Sequence, residues 1–353
     1  MSFFISPLSL IVRKLLSILV ISFAFLLASF MAAQEAHKPG PVQSGTASIC
    51  LSGVDLVVQA RKQTQTPADY MDLFRPDAPW TRAASELKAF EIGTQFGLYS
   101  TDVQLRSVID DLKRRHIRLA VELGVLTAHD RCGRGIEGYA SPNAVENLAN
   151  RIKKFGGQID DVAMDEPGWF GHISKGLVKN PDAVTCQDSI PYLIDQIAPK
   201  IAILREIFPD IEIGDIEPVT GKSPSAVDDV MTFAELFQKK TVRPLAFIHA
   251  DLAWNTNWGP VLGNMANHLR RQGLRFGVIC GGGGSEVKGE EARTNEQWVR
   301  TAIQRCHAMA ANPSIRPEDF VVQSWEPLPT KMLPETDPGS LTYEVNAISK
   351  LQH

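Results

Sequence analysis

Four apolar runs in this chain end in acids, and each gives way to a helix-like stretch. The run ends read Met164-Asp165-Glu166-Pro167, Asp215-Ile216-Glu217-Pro218, His249-Ala250-Asp251 and Ser324-Trp325-Glu326-Pro327. A strand that only fills a core has no use for carboxylates at its end. A barrel of alternating strands and helices does, because its chemistry is assembled where the strands finish.

Runs with period-2 alternation mark strands, and stretches with 3.6-residue periodicity between them mark helices. Strands are expected at residues 53–58, 88–93, 117–123, 159–165, 211–216, 245–251, 275–280 and 320–324. Helices are expected to end near Leu87, to run from Thr101 to about Arg115, and to open at Ser141-Pro142, an N-cap followed by Pro at the first helical position. Further helices are expected at residues 189–208, 226–239, 260–272 and 295–311. Thr101 with Gln104, and Thr294 with Gln297, read as capping boxes. Eight strands alternating with helices predict a parallel α/β sheet. Polar residues at many strand ends, and no Gly-rich nucleotide turn after the first strand, favour a closed (β/α)8 TIM barrel over an open doubly wound sheet.

With 353 residues, 44% hydrophobic and 22% charged, the chain has room for one large core. The expected division is a signal peptide or N-terminal anchor at residues 1–36, a linker at 37–48 and a single barrel domain at 49–353. Arg13 and Lys14 precede an apolar run from Leu15 to Ala33, which reads either as a cleaved secretory signal or as an uncleaved membrane anchor. Either reading places the body outside the cytoplasm, secreted or periplasmic. A net charge of −4 without a basic stripe gives nucleic-acid binding no electrostatic support. The five cysteines fit no zinc spacing and no CxxC motif. Cys132 and Cys186 lie in loops on one barrel face, either paired or as two free thiols. Cys280 in a strand and Cys306 in a helix read as buried thiols.

Glu166 is the leading catalytic candidate. It ends an apolar strand, precedes a Pro, and is followed by Trp169, Phe170 and His172, aromatic company that can raise a carboxyl pKa into the range of an acid. Glu217 is its expected partner, on the reading that Ile213, Asp215 and Glu217 share the face that points into the barrel mouth. Asp251 is the third catalytic candidate. Phe247, His249 and Asp251 share a face, and Trp254, Asn255, Asn257 and Trp258 follow. Aromatics mixed with amides suit sugar faces and hydroxyls. Asp165, Trp169, His249, Trp254, Asn255, Trp325 and Glu122 are the expected substrate contacts. His249 reads equally as a histidine satisfied within the barrel, and Arg118 as an internal ion-pair partner. Glu326 is expected to point away from the lumen. The glycines 281–284 read as a loop that lets a polymer approach the backbone. No HxH or HExxH motif supports a metal, no G-x-S-x-G elbow supports a serine hydrolase, and no cofactor is implied.

The Asp165-Glu166-Pro167 strand end resembles the Asn-Glu-Pro of the clan of retaining (β/α)8 glycoside hydrolases, and Trp325 resembles the Trp that ends strand eight in many of them. The resemblance implies that Glu166 is the acid/base and that the substrate is a carbohydrate. Two departures stand: Asp165 replaces the Asn, and strand seven, where that clan keeps its nucleophile, ends in Cys280 and four glycines with no acid before Glu286. The barrel chitinases share acids on strand four and a strand-eight Trp, but they space the strand-four acids by two. The expected function is thus an exported glycosidase acting through paired carboxylates, with Glu217 or Asp251 as nucleophile or base. The alternative is a non-catalytic barrel that binds glycans or cell-wall components.

Overall fold

The computed structural model describes residues 47–53, 57, 69–174, 184–284 and 291–352. The expected signal or anchor, most of the linker, and Glu286 and Lys288 lie outside them. Among the described residues no helix is long and apolar enough to cross a membrane.

Eight parallel strands form a closed barrel: β1 (Ser48–Ser52), β2 (Ala89–Gly93), β3 (Arg118–Leu123), β4 (Asp161–Asp165), β5 (Glu212–Val219), β6 (Phe247–Leu252), β7 (Arg275–Cys280) and β8 (Asp319–Val322). Each pairs with the next, and β8 returns to pair with β1. The helices around them are α1 (Thr81–Glu86), α2 (Thr94–Tyr99), α3 (Asp102–Arg115), α4 (Ala144–Lys154), α5 (Ile190–Ile207), α6 (Ala226–Thr241), α7 (Gly259–Gln272), α8 (Asn295–Ala311) and α9 (Leu341–Ser349).

Alternation along the strands builds two cores. Ala163, Ile216, Phe247, Ile279 and Val321 meet inside the barrel. Val162, Ile213, Ile248, Val278 and Phe320 face outward into the larger core between sheet and helices. The ring of Phe247 fills the lumen against Gly214, where an added Cβ would stand 2.1 Å from it. The outer face of the strands is therefore apolar, while the lumen face is apolar chiefly on β4 to β8.

The expected strands two to eight are present, with ends shifted by up to three residues. The first is displaced: β1 lies at Ser48–Ser52, before the expected 53–58, and takes Ser48 from the expected linker. Its lumen-facing residues Ser48, Cys50 and Ser52 carry no hydrophobic alternation, so the apolar run that follows was the stronger signal. The helix expected to open at Ser141-Pro142 starts at Ala144, because those residues form a turn closed by the Ala144 N–H on the Ser141 carbonyl at 2.9 Å. Thr101 and Gln104 do form a reciprocal capping box. At α8 the Thr294 hydroxyl accepts from Gln297 N–H, but the Gln297 side chain takes the N–H of Arg293 instead. Helix α9 was not anticipated. Cys132 and Cys186 are joined in a disulfide, and so are Cys280 and Cys306, which the sequence reading left as buried thiols.

Candidate active site

The C-terminal mouth of the barrel collects acids from the ends of four strands and the loops that follow them. Glu122 closes β3, Asp165 closes β4, Glu166 follows it, Asp251 stands near the end of β6, and Glu326 follows β8. Glu137, from the loop after β3, adds its charge to Glu122, Glu166 and Asp251.

Glu166 is 8% exposed and has a left-handed φ of 50°. Such a conformation costs a non-glycine residue on the order of 1–3 kcal/mol and clusters at functional sites. Pro167 adds to the cost, since a residue before proline is pushed toward extended backbone. Burial, then the charges of Asp251, Glu137, Asp165 and Glu217, hold the Glu166 carboxyl well above the usual carboxylate range. A shift in this direction suits a carboxyl that has to give up a proton as a general acid.

Asp251 is pushed up to about 7 by burial, with Glu137 and Glu326 adding to it. Glu122 is pushed up to about 8 by burial and by Glu91, Glu137 and Asp251, while its carboxylate accepts from Gln323 Nε2 at 2.7 Å. No cation enters the causes of any of these three shifts among the described residues. Asp165 accepts the Gly138 N–H at 3.1 Å, which ties the loop after β3 to the end of β4.

Glu217 departs from expectation. The lumen face of β5 is Glu212, Gly214, Ile216 and Pro218, in register with lumen residues Asp161, Ala163 and Asp165 of β4 and Asp251 of β6. Asp215 and Glu217 therefore point outward. Glu217 is 1% exposed, and its carboxylate accepts Gly168 N–H at 2.6 Å and Trp169 N–H at 2.9 Å. These are first-turn donors of the short helical segment after Glu166, otherwise without acceptors. Burial raises Glu217 to about 8 while the two N–H groups pull it down. A Cβ on Gly168 would lie 2.5 Å from this carboxylate, so glycine is required for the contact. Glu217 thus anchors the segment that carries Glu166.

His249 also departs from its expected place at the mouth. It lines a pocket at the opposite, N-terminal end of the lumen with Cys50, Glu91, Asp161 and Asp319. Its ring stacks on Phe247 at 4.4 Å, and Nε2 lies 3.5 Å from the Asp319 carboxylate. Burial lowers its pKa and Asp319 opposes that shift.

The expected aromatics divide. Trp254 and the 62%-exposed Trp325 line a pocket at the mouth with Asp251, Gln323 and Glu326. Trp169 is buried, and Asn255 is exposed on the loop after β6. Glu326 was expected to point away but lines this pocket, its Oε2 accepting Trp298 Nε1–H at 3.0 Å. Glu326 and Glu137 were missed as members of the acid cluster. Both sit in loops where periodicity says nothing about direction. The only signal for Glu326 was its place beside Trp325 at a strand end. At the end of β7, Cys280 is bonded to Cys306, and Gly281 to Gly284 follow.

No protein-family model and no curated protein matches the sequence. Its fold, by contrast, is shared with solved glycoside hydrolase barrels. A beta-mannanase from Thermomonospora fusca superposes with a TM-score of 0.50 at 9% identity, over 87% of this chain and 91% of that one. The Ignisphaera aggregans GH53 catalytic domain gives 0.50 at 8% identity, over 81% and 86%. A GH10 endoxylanase from a sugarcane soil metagenome gives 0.50 at 11%, over 90% and 100%. The chain is a (β/α)8 TIM barrel.

Proposed function

We propose that this protein is an exported glycoside hydrolase whose general acid is Glu166. One observation carries the reading: a buried, conformationally constrained carboxyl just past the end of β4 lies among the acids Asp251, Glu137 and Asp165, and burial with their charge raises its pKa in the direction a general acid needs. Glu166 delivers that proton to the glycosidic oxygen as the bond to the anomeric carbon breaks. Asp251 is the partner, because its strand directs it to the lumen. It either attacks the anomeric carbon or takes a proton from the attacking water. In its deprotonated form Asp251 also offsets the positive charge that develops on the sugar ring. Trp254 and Trp325 supply flat faces for sugar rings, and Glu122 with Gln323 supplies hydrogen bonds to hydroxyls. Export is supported by the basic residues and apolar run at the N-terminus and by the two disulfides, which belong to oxidising compartments.

A second reading, a barrel that binds glycan without cleaving it, is favoured by one feature. Where related barrels place a nucleophile, β7 ends in a disulfide-bonded cysteine and glycines. Incubating the chain with a panel of polysaccharides and measuring new reducing ends separates the two. Release that disappears in Glu166→Gln supports the hydrolase. Retention of a glycan with no release by the wild type supports the binding barrel.

A further inference from the structure

Beside the mouth, the disulfide Cys132–Cys186 joins the loop after β3 to the loop after β4, and a histidine stands over it. Cys132 Sγ lies 3.8 Å from both ring nitrogens of His129. The ligand atoms of His129, Cys132 and Cys186 all fall within 4.8 Å of one another. His129 Nε2 sits 3.0 Å from the Asp188 carboxylate, which raises the imidazole pKa and fixes its orientation. A tetrahedral zinc with Zn–S of about 2.3 Å and Zn–N of about 2.0 Å separates sulfur from nitrogen by roughly 3.5 Å and sulfur from sulfur by roughly 3.8 Å. The sulfur–nitrogen spacing is already close to that. Only the S–S bond, at 2.06 Å, has to open.

We propose that the reduced protein binds a zinc ion through Cys132 Sγ, Cys186 Sγ and His129 Nδ1, with solvent as fourth ligand and Asp188 as positioning residue. Asp188 accepts the Nε2–H, the carboxylate–histidine arrangement that orients metal-bound imidazoles. The site depends on the redox state. With a phosphine as reductant, disulfide, phosphine and water give two thiols and the phosphine oxide. The thiols then release two protons as they bind the metal.

Zinc would replace the disulfide as the link between the two loops. That link matters because the loop after β3 carries Glu137, and the loop after β4 carries Glu166. One further bond crosses the same seam, Gly133 N–H to the Val184 carbonyl at 2.9 Å, while the Asp188 carbonyl meets His172 Nδ1 at 2.6 Å within the loop after β4.

The test uses the full chain reduced with a phosphine, zinc ion alone, and a chromophoric chelator as competitor. One equivalent of zinc is expected in the reduced wild type and none in the oxidised chain. His129→Ala and the double variant Cys132→Ser/Cys186→Ser should lose it, while Asp188→Asn should weaken it by about 10–100-fold. A folded, reduced chain that takes up no stoichiometric zinc overturns the site, as does binding that survives in His129→Ala or the double serine variant. Far-UV circular dichroism covers the case in which reduction unfolds the chain. Recovery of the spectrum on adding zinc, in wild type but not in His129→Ala, supports the site; failure to recover overturns it.

Discussion

The two ends of the barrel lumen hold the same kind of residue in opposite states. At the N-terminal end the acids are met by guanidinium groups. Arg275 reaches Glu212 at 2.8 Å and Asp319 at 3.3 Å, and Arg118 reaches Asp161 at 2.8 Å. Asp319 is held well below the usual range, where His249, Arg275 and Lys88 outweigh burial, and Glu212 is lowered as well. Two acids there depart from this: Asp161 is raised to about 7 because burial exceeds the pull of Arg118, and Glu91 is raised to about 7 by burial with Asp161 and Asp165 adding to it. At the mouth, Glu122, Glu166 and Asp251 are all raised, and no cation among the described residues opposes the shift. Acids met by cations hold strands together, whereas acids raised by burial and by one another are suited to proton transfer.

The contrast can be tested in descending order of effect. Glu166→Gln should lower turnover of a responsive glycan by about 10²–10⁴-fold while leaving the melting temperature within a few degrees. A comparable loss in a variant of the other end, with the fold intact, would break the division. Arg275→Ala should destabilise by about 3 kcal/mol, the lower end of the range for stranding a buried acid, because the arginine is partly exposed. Urea unfolding measures this, and an unchanged midpoint would show that the N-terminal ion pairs are not structural.

The ends should also answer pH with opposite sign. Asp319 has a depressed folded pKa, so its contribution is present above its ordinary value of 3.8 and lost as pH falls through the lower folded value. Glu122 has a raised one, so its contribution is present below 4.5 and lost as pH rises through about 8. Stability measured from pH 3 to 9 should therefore fall on both sides, and Glu122→Gln should flatten only the alkaline limb. The smallest effect concerns a buried acid away from both ends. Glu344 on α9 is fully buried, neither carboxyl oxygen has a hydrogen-bond partner among the described residues, and burial raises its pKa. Glu344→Leu should raise stability at pH 8 by about 1–3 kcal/mol; a loss there would mean that this carboxyl has a role.

The strand alternation was legible because parallel strands buried on both faces read as apolar runs. That property also hid which face is which. Ile213 seemed to mark a core face for Glu217, yet Ile213 packs against helices and Ile216 fills the lumen. Glu166, Asp251 and Trp325 were legible because strand ends are where barrel chemistry collects. His249 was misplaced because it shares a face with Asp251 but sits one layer deeper, and sequence gives parity without depth. The Cys280–Cys306 pair was invisible because it joins a strand to the helix after it, at no diagnostic spacing.

The glycine segment after β7 bears on how this barrel can be altered by mutation. A Cβ at Gly282 would stand 1.9 Å from the Trp298 carbonyl, and one at Gly283 would strike the Glu326 carboxylate. The Arg305 guanidinium donates to the carbonyls of Gly281, Gly283 and Gly284, and it lies 4.2 Å over the Trp254 ring. This wall of the mouth therefore presents main chain and accepts no new side chains at its centre. At Gly282 a side chain has no room against the Trp298 main chain, and at Gly283 one would have to displace Glu326, so new ligand preferences do not arise at these two positions by small steps. They have to come through Arg305 and Trp254, which makes that pair the evolutionary control point for this side of the mouth.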